Sequence, residues 1–192
     1  MKIIAIRQPG YIPYIGFFKK IESVDTFVFL DDVQYSRTDW DNRNKIRTPE
    51  GSMWLTVPIL NKSGKLLNQV EIDYSKNWVS KHKAAIKFNY EHSPFFDTYW
   101  DDIKYILNES RKKLLDLNIS LINYFISVLQ IKTKLIFSSD LHIDSMGSNK
   151  LLDICKTLHA DTYLSGEFGK NYLDINIFEN INQSNKTSKP NP

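Results

Sequence analysis

The chain has 192 residues, of which 42% are hydrophobic and 24% charged, and this length suits a single globular domain. Its formal net charge of +3 comes from lysines spread along the chain rather than from a basic stripe, so we expect no nucleic-acid partner. A single cysteine excludes a disulfide within the chain, and with only four histidines beside it we predict no metal site. The lack of a long apolar run predicts no membrane insertion and a cytoplasmic location.

A strand–helix–strand unit is predicted at the start of the chain. Residues 3–6 form an apolar run typical of a buried strand, residues 17–24 indicate a helix, and residues 26–30 form a second apolar run. A Pro/Gly/aromatic loop, residues 8–16, lies between the first strand and the helix. Open α/β sheets bind ligands outside the carboxyl ends of their strands, so we expect a site at this loop.

The next segment is predicted to alternate loops with short strands. Residues 36–45 form a polar loop, residues 53–60 read as a strand with Pro58 near its end, and residues 70–74 alternate apolar and polar side chains. This alternation is typical of a half-buried antiparallel edge strand.

The middle of the chain is predicted to be helical. Helical periodicity covers residues 78–90, 97–108 and 110–129. A second strand–helix–strand unit then follows at residues 135–137, 148–158 and 162–164.

Together these elements predict an α/β fold. We expect a mostly parallel, Rossmann-like sheet with crossover helices, a helical middle segment and a short antiparallel edge. Residues 1–178 form one predicted domain, whereas residues 179–192 are polar, lack aromatic rings and are expected to be disordered.

Several linked motifs resemble the WbqC-like protein family. They are Gln8-Pro9-x-Tyr11-x-Pro13-Tyr14-x-Gly16, Asp31-Asp32-Val33-Gln34-Tyr35, Trp40-x-Asn42-Arg43-Asn44, Trp54-Leu55-Thr56-Val57-Pro58, Trp78 with His82 and Tyr90, Ser138-Ser139, and Ala160 to Gly166 with Tyr172-Leu173-Asp174. The resemblance covers residues 1–178, and a set of linked motifs is far more specific than an isolated one.

The resemblance implies a role in the synthesis of bacterial O-antigen (lipopolysaccharide) or other surface polysaccharides. It implies a transferase that adds glycine or a related acyl group to the amine of an amino sugar, carried as a sugar nucleotide. Such a reaction needs an activated acyl donor, a thioester or an acyl adenylate, and an acyl carrier protein is a further expected partner. The alternative is a non-catalytic module that binds a sugar nucleotide or a carrier protein.

A third hypothesis is a nucleotidyltransferase-like activating enzyme. The loop before the first helix is similar to the loop that carries His-x-Gly-His in nucleotidyltransferases, but Tyr14 and Phe17 stand where the two histidines would be. Neither side chain supplies positive charge to a transferring phosphoryl group, so this hypothesis ranks last.

Acyl transfer to an amine requires a base, and three side chains are candidates. His82 lies on a predicted helix and shares a face with Tyr90, although a single helical histidine is more often structural. Asp31 and Asp32 follow the second predicted strand, where turn formation is the competing role.

The candidate binding residues lie mainly in loops and at predicted strand ends. Arg43 could hold a diphosphate or carboxylate with both guanidinium nitrogens, and its competing role is a salt bridge to a nearby aspartate. The other predicted binding residues are Gln8, Tyr11, Gln34, Tyr35, Asn42, Asn44, Tyr90, Ser138, Ser139, Ser165 and Gly166. Trp40 and Trp54 are rings that could lie beside a sugar, with core packing equally expected. We expect all these residues to surround one anionic ligand.

Overall fold

The computed structural model describes residues 1–36, 40–60, 64–166 and 178. The Tyr172-Leu173-Asp174 motif and the predicted tail at 179–192 lie outside the described residues. Contacts between residues divide the chain into two compact units. We call them the sheet unit, Met1–Gln8, Tyr14–Val33 and Leu129–Pro192, and the helical unit, Pro9–Pro13 and Gln34–Val128.

The sheet unit contains a parallel four-stranded sheet in the order β7-β2-β1-β8. Its elements are β1 (Ile3–Arg7), α1 (Ile15–Glu22), β2 (Thr26–Phe29), β7 (Lys134–Phe137), α5 (Gly147–Thr157) and β8 (Thr162–Tyr163). The register is fixed by pairs such as Ala5 with Phe27 and Phe27 with Leu135. Both predicted strand–helix–strand units are therefore present, and the α/β prediction is confirmed.

The two central strands are apolar because both of their faces are covered. All four residues of β2 are buried, as are the three middle residues of β1. Strands covered on both faces read as continuous hydrophobic runs, and this explains why the sequence identified them. A core cluster of this unit joins Ile4 and Val28 to Ile154 and Cys155 of α5.

The helical unit contains three helices and two small antiparallel sheets. Its elements are β3 (Arg43–Thr48), β4 (Gly51–Thr56), β5 (Ile59–Leu60), β6 (Glu71–Ile72), α2 (Trp78–Tyr90), α3 (Phe96–Asn108) and α4 (Leu114–Val128). β3 pairs with β4, and β5 pairs with β6. The antiparallel strands form two separate two-stranded sheets rather than a continuation of the parallel sheet.

Three predicted boundaries were wrong in the helical unit. β3 begins at Arg43, inside the predicted loop at 36–45, because Arg43 pairs with Thr56 across the hairpin. The predicted strand at 53–60 is divided into β4, which pairs with β3, and β5, which pairs with β6; Pro58, which has no backbone N–H, lies between them.

The third difference is the start of α4, at Leu114 rather than at residue 110. The preceding backbone is used elsewhere: the carbonyl of Lys112 accepts from the backbone N–H of Ile72, and the N–H of Arg111 donates to the Tyr74 hydroxyl. Backbone groups with such partners cannot join the helix. No helix among the described residues is long and apolar enough to cross a bilayer.

Candidate functional site

Acidic and hydroxyl side chains gather where β2 and β7 end in the sheet unit. Asp31 and Asp32 follow β2, and Ser138 and Ser139 follow its parallel neighbour β7. Ser138 Oγ lies 3.1 Å from Asp31 Oδ1 and 2.5 Å from Asp32 Oδ1. Ser139 donates to Asp31 from its backbone N–H at 3.0 Å and from its hydroxyl at 2.8 Å. The fold thus brings together four residues that the sequence predicts at strand ends.

Lys150 completes this group, which we call the carboxylate cluster: Asp31, Asp32, Ser138, Ser139 and Lys150. Lys150 Nζ donates to Asp32 Oδ2 at 2.8 Å and to the carbonyl of Ile143 at 2.7 Å. Its side chain is only 6% exposed, against 17% for Asp32. A buried carboxylate is costly unless it is paired, so Lys150 compensates the two acidic side chains.

Sequence reasoning missed Lys150, although a signal was present. On α5 the lysine lies one residue before Leu151 and four before Ile154, so it belongs to the helix's apolar face. A lysine in such a stripe must either extend to solvent or find a buried partner. Here it finds Asp32.

The donors of the cluster are directed at its own carboxylates. The hydroxyls of Ser138 and Ser139 point to carboxylate oxygens, and Lys150 Nζ donates to Asp32. The arrangement suits the ammonium form of an amine better than a phosphate. The assignment of these two serines as substrate-binding residues stays a prediction.

The remaining predicted residues of the sheet unit lie at the ends of the other two strands. Gln8 follows β1, and Ser165 and Gly166 follow β8, which pairs with β1 in parallel. All three are partly buried. A Cβ atom at Gly166 would meet no atom within 4 Å, so its backbone borders open space.

In the helical unit, Tyr11 and His82 form a buried neutral pair. The Tyr11 hydroxyl lies 2.9 Å from His82 Nδ1, and the two side chains are 0% and 5% exposed. Burial lowers the pKa of His82 to about 4, partly opposed by a hydrogen bond to the backbone of Thr56, and burial also raises the pKa of Tyr11. The imidazole is therefore neutral at pH 7 and occupied by protein groups.

The loop at Pro9–Pro13 is held in an unusual conformation by Asn44. Asn44 Nδ2 contacts the carbonyl oxygens of Tyr11 at 3.2 Å and Ile12 at 2.6 Å. Ile12 has a φ of 42°, a left-handed conformation that is rare for a β-branched residue. Gly10 is needed in this loop because a Cβ there would lie 2.9 Å from the carbonyl oxygen of Trp40. Such backbone strain is typical of positions that serve a function.

Asn118 is a second buried polar residue that sequence reasoning missed. It lies on α4, and its Nδ2 donates to the carbonyls of Pro9 at 2.9 Å and Asp41 at 2.7 Å. The signal was an asparagine four residues after Leu114 and three before Leu121, on the apolar face of the helix. Both hydrogens of its amide group are used to satisfy backbone carbonyls.

The guanidinium of Arg43 lies against an exposed pair of aromatic rings. The rings of Trp40 and Trp54 lie 5.1 Å apart, and their side chains are 47% and 43% exposed. The guanidinium carbon of Arg43 lies 4.6 Å from the Trp54 ring centroid, and Lys45 Nζ lies 5.1 Å from it. We call these four residues the tryptophan platform. Rings and cations on an exposed strand pair are suited to stacking on a sugar or a base.

The other predicted residues of the helical unit have structural partners. The Tyr35 hydroxyl donates to Asn42 Oδ1 at 2.9 Å, and Asn42 Nδ2 donates to the Val57 carbonyl at 2.8 Å. Gln34 forms an isolated antiparallel bridge with Leu66, and the Tyr90 hydroxyl accepts from the backbone N–H of Arg47.

The predicted site residues thus belong to two units. Gln8, Asp31, Asp32, Ser138, Ser139, Ser165 and Gly166 lie in the sheet unit; Tyr11, Gln34, Tyr35, Asn42, Arg43, Asn44, His82 and Tyr90 lie in the helical unit. The expectation that they surround one ligand stays a prediction. Among the described residues, no group of three or more histidine, cysteine, aspartate or glutamate side chains is placed to hold a metal ion.

The parallel sheet, its crossover helices and the polar groups at its strand ends define an α/β protein of the kind that binds ligands at the carboxyl edge of the sheet. The chain belongs to the WbqC-like protein family, whose model matches residues 8–189. It is also 35% identical over 184 residues to a Mycobacterium tuberculosis (strain ATCC 25618 / H37Rv) protein described as "Uncharacterized protein Rv1507c". That alignment covers 94% of this chain and 79% of the relative.

Proposed function

We propose that this protein is a transferase of surface-polysaccharide synthesis that adds glycine or a related acyl group to the amine of an amino sugar, presented as a sugar nucleotide. The observation that carries the proposal is the tryptophan platform. An exposed pair of tryptophan rings offers a surface for stacking on a ligand, and a guanidinium beside it suits the diphosphate of a sugar nucleotide. The role in surface-polysaccharide synthesis is the one that the resemblance to the WbqC-like family implies.

In the proposed reaction, the attacking amine loses a proton as it forms the amide bond with the activated carbonyl. We assign proton acceptance to Asp32, the more exposed of the two cluster carboxylates, with Ser138 and Lys150 holding it in place. His82 is assigned a positioning role toward Tyr11, because burial keeps its imidazole neutral and its Nδ1 is occupied.

The test is an assay of the purified chain with an amino-sugar nucleotide and an activated glycine donor, either a thioester or an acyl adenylate. Trp54→Ala is expected to raise KM by about tenfold or more, since stacking on an aromatic ring contributes about 1–3 kcal/mol per base. Met53→Ala is the matched control, because Met53 is an equally exposed neighbour on β4. If no product forms with the thioester and none forms with the acyl adenylate, the transferase proposal is refuted.

Asp32→Asn tests the proposed proton acceptor. It is expected to lower kcat by about a hundredfold or more while KM for the sugar nucleotide changes little. Circular dichroism is needed alongside, because the substitution also changes the pairing with Lys150. A kcat equal to that of the wild type would remove Asp32 from the mechanism.

The second candidate is a non-catalytic module that delivers a sugar nucleotide or contacts a carrier protein. It is favoured by one observation: both Asp32 and His82 are already engaged by protein groups. This function predicts that Asp32→Asn still complements a strain lacking the protein, whereas Trp54→Ala does not.

A further inference from the structure

The helical unit contains an apolar cavity that the proposed transferase role does not use. Its volume is about 340 Å³, and it is bordered by α2, α3 and α4. Ligand pockets usually measure about 300–1,000 Å³, so this cavity has the size of a small-molecule site rather than a packing defect. The inference drawn from it does not depend on the proposed function.

One wall of the cavity is a stripe along α3. Phe96, Trp100 and Ile103 line it at positions i, i+4 and i+7, the spacing of a single helix face. The rings of Phe96 and Trp100 are stacked, with centroids 5.1 Å apart and planes inclined by 23°. An apolar helix face normally packs against protein, whereas this one borders open space.

The opposite walls supply aliphatic surface and the hydroxyl-bearing side chain of Tyr90. Ile12, with its left-handed backbone, and Leu121 of α4 contribute apolar surface. Tyr90 also lines the cavity, and its hydroxyl oxygen accepts the backbone N–H of Arg47 at 2.9 Å. The hydroxyl proton of Tyr90 is not used in that bond, so it remains able to donate to an oxygen atom.

We infer that this cavity binds a medium-chain acyl group whose carbonyl or carboxylate oxygen accepts a hydrogen bond from Tyr90. A dry cavity of about 150 Å³ holds the six carbons of benzene, so 340 Å³ accommodates roughly 10 to 14 carbon atoms. The apolar lining matches an aliphatic chain, and the Tyr90 hydroxyl supplies a donor for an oxygen at one end of it. The same chemistry is presented by a free carboxylic acid and by an acyl thioester.

The first experiment titrates the full chain with octanoate, decanoate and dodecanoate and follows tryptophan fluorescence, since Trp100 lies in the cavity wall. Burial of each further methylene is expected to tighten binding by about fourfold until the cavity is full. Hexadecanoate should gain nothing more. A decanoyl thioester of pantetheine is titrated in parallel, and the tighter of the two decanoyl ligands identifies the source of the acyl group.

Variants separate specific binding from adhesion to the surface. Ile103→Trp should weaken decanoate binding by about tenfold or more, because the larger ring takes the space of the chain. The matched control is Tyr105→Trp, at an exposed position of the same helix that does not line the cavity. Tyr90→Phe should weaken binding on the order of fivefold, the value of one hydrogen bond, whereas Tyr105→Phe should not.

Two results would overturn the inference. One is the lack of saturable binding by any of the four acids and the thioester. The other is an affinity that keeps increasing with chain length through hexadecanoate, because methylenes beyond the cavity volume lie outside its apolar walls. The chain-length series needs no substitution, so the inference stays testable even if Ile103→Trp does not fold.

Discussion

The sheet unit and the helical unit bury polar groups by different means. In the sheet unit the buried polar group is charged, with Asp31 and Asp32 held by Lys150 and two serine hydroxyls. In the helical unit the buried pair of Tyr11 and His82 is neutral, as is Asn118, which donates to two backbone carbonyls, although the carboxylate of Asp41 is also buried there. Charged groups lose more solvation on burial than neutral ones, so the two units should respond differently when a partner is removed.

Loss of Lys150 should have the largest effect on stability. Lys150→Met leaves the carboxylate of Asp32 without its buried cation, and removing one partner of a buried pair typically costs about 3–5 kcal/mol. Urea denaturation of the purified variant measures the change in the free energy of unfolding. Lys156→Met, on the same helix but exposed and 4.0 Å from Asp153, should cost less than about 1 kcal/mol.

A double variant sharpens this prediction. Adding Asp32→Asn to Lys150→Met removes the carboxylate charge with which Lys150 is paired, so part of the lost stability should return. If Lys150→Met proves no more destabilising than Lys156→Met, then the carboxylate cluster is not an energetically coupled charged group.

Acidification should destabilise the protein through the buried neutral pair of Tyr11 and His82. The pKa of His82 falls from 6.5 to about 4 on folding, so below pH 6.5 the unfolded chain binds a proton that native His82 does not. The neutral His82 therefore contributes fully to the free energy of unfolding above pH 6.5. This contribution, about 3 kcal/mol in all, is lost as the pH falls from 6.5 toward 4. His82→Gln should lack this part of the pH dependence in denaturant titrations.

The control for this experiment is His92→Gln, which removes an exposed imidazole. The pH dependence of the His82→Gln variant is compared with that of this variant and of the wild type. Parallel curves for the wild type and His82→Gln between pH 6.5 and 4 would contradict the assignment of His82 as a buried neutral group. Comparison of the two curves is essential because carboxylates elsewhere also titrate at the acid end of this range.

Asn118 should give a smaller effect. Asn118→Ala removes both donors from the buried carbonyls of Pro9 and Asp41, and an unsatisfied buried group costs about 1–3 kcal/mol. Thermal unfolding should show the loss, whereas Asn123→Ala, at an exposed position of α4, should change stability by less than about 0.5 kcal/mol. If Asn118→Ala and Asn123→Ala change stability equally, then the two hydrogen bonds of the Asn118 amide contribute nothing to the stability of the fold.

Local sequence patterns predicted the regular elements best where burial is uniform. Helix α2 has the predicted bounds, and the apolar runs of β1 and β2 lie where the strands were expected. β3 was missed at its start because its residues are mostly polar and half-buried, so neither alternation nor apolar content marks it. Its strand conformation comes from pairing with β4, and the residues of β3 alone do not show this pairing.

The candidate site was predicted in part. The strand-end rule found Asp31, Asp32, Ser138 and Ser139, because parallel strands place their carboxyl ends at one edge of a sheet. It did not find Lys150, which reaches this group from a helix rather than from a strand end.

The sequence by itself determined the α/β class, the family and the types of residue available for chemistry, since these depend on composition, periodicity and linked motifs. Only the tertiary structure decided which polar groups are paired: Lys150 with Asp32, Tyr11 with His82, and Asn118 with two carbonyls. The physical reason is that pairing and burial arise between residues 71 to 118 positions apart, and no local pattern records such contacts.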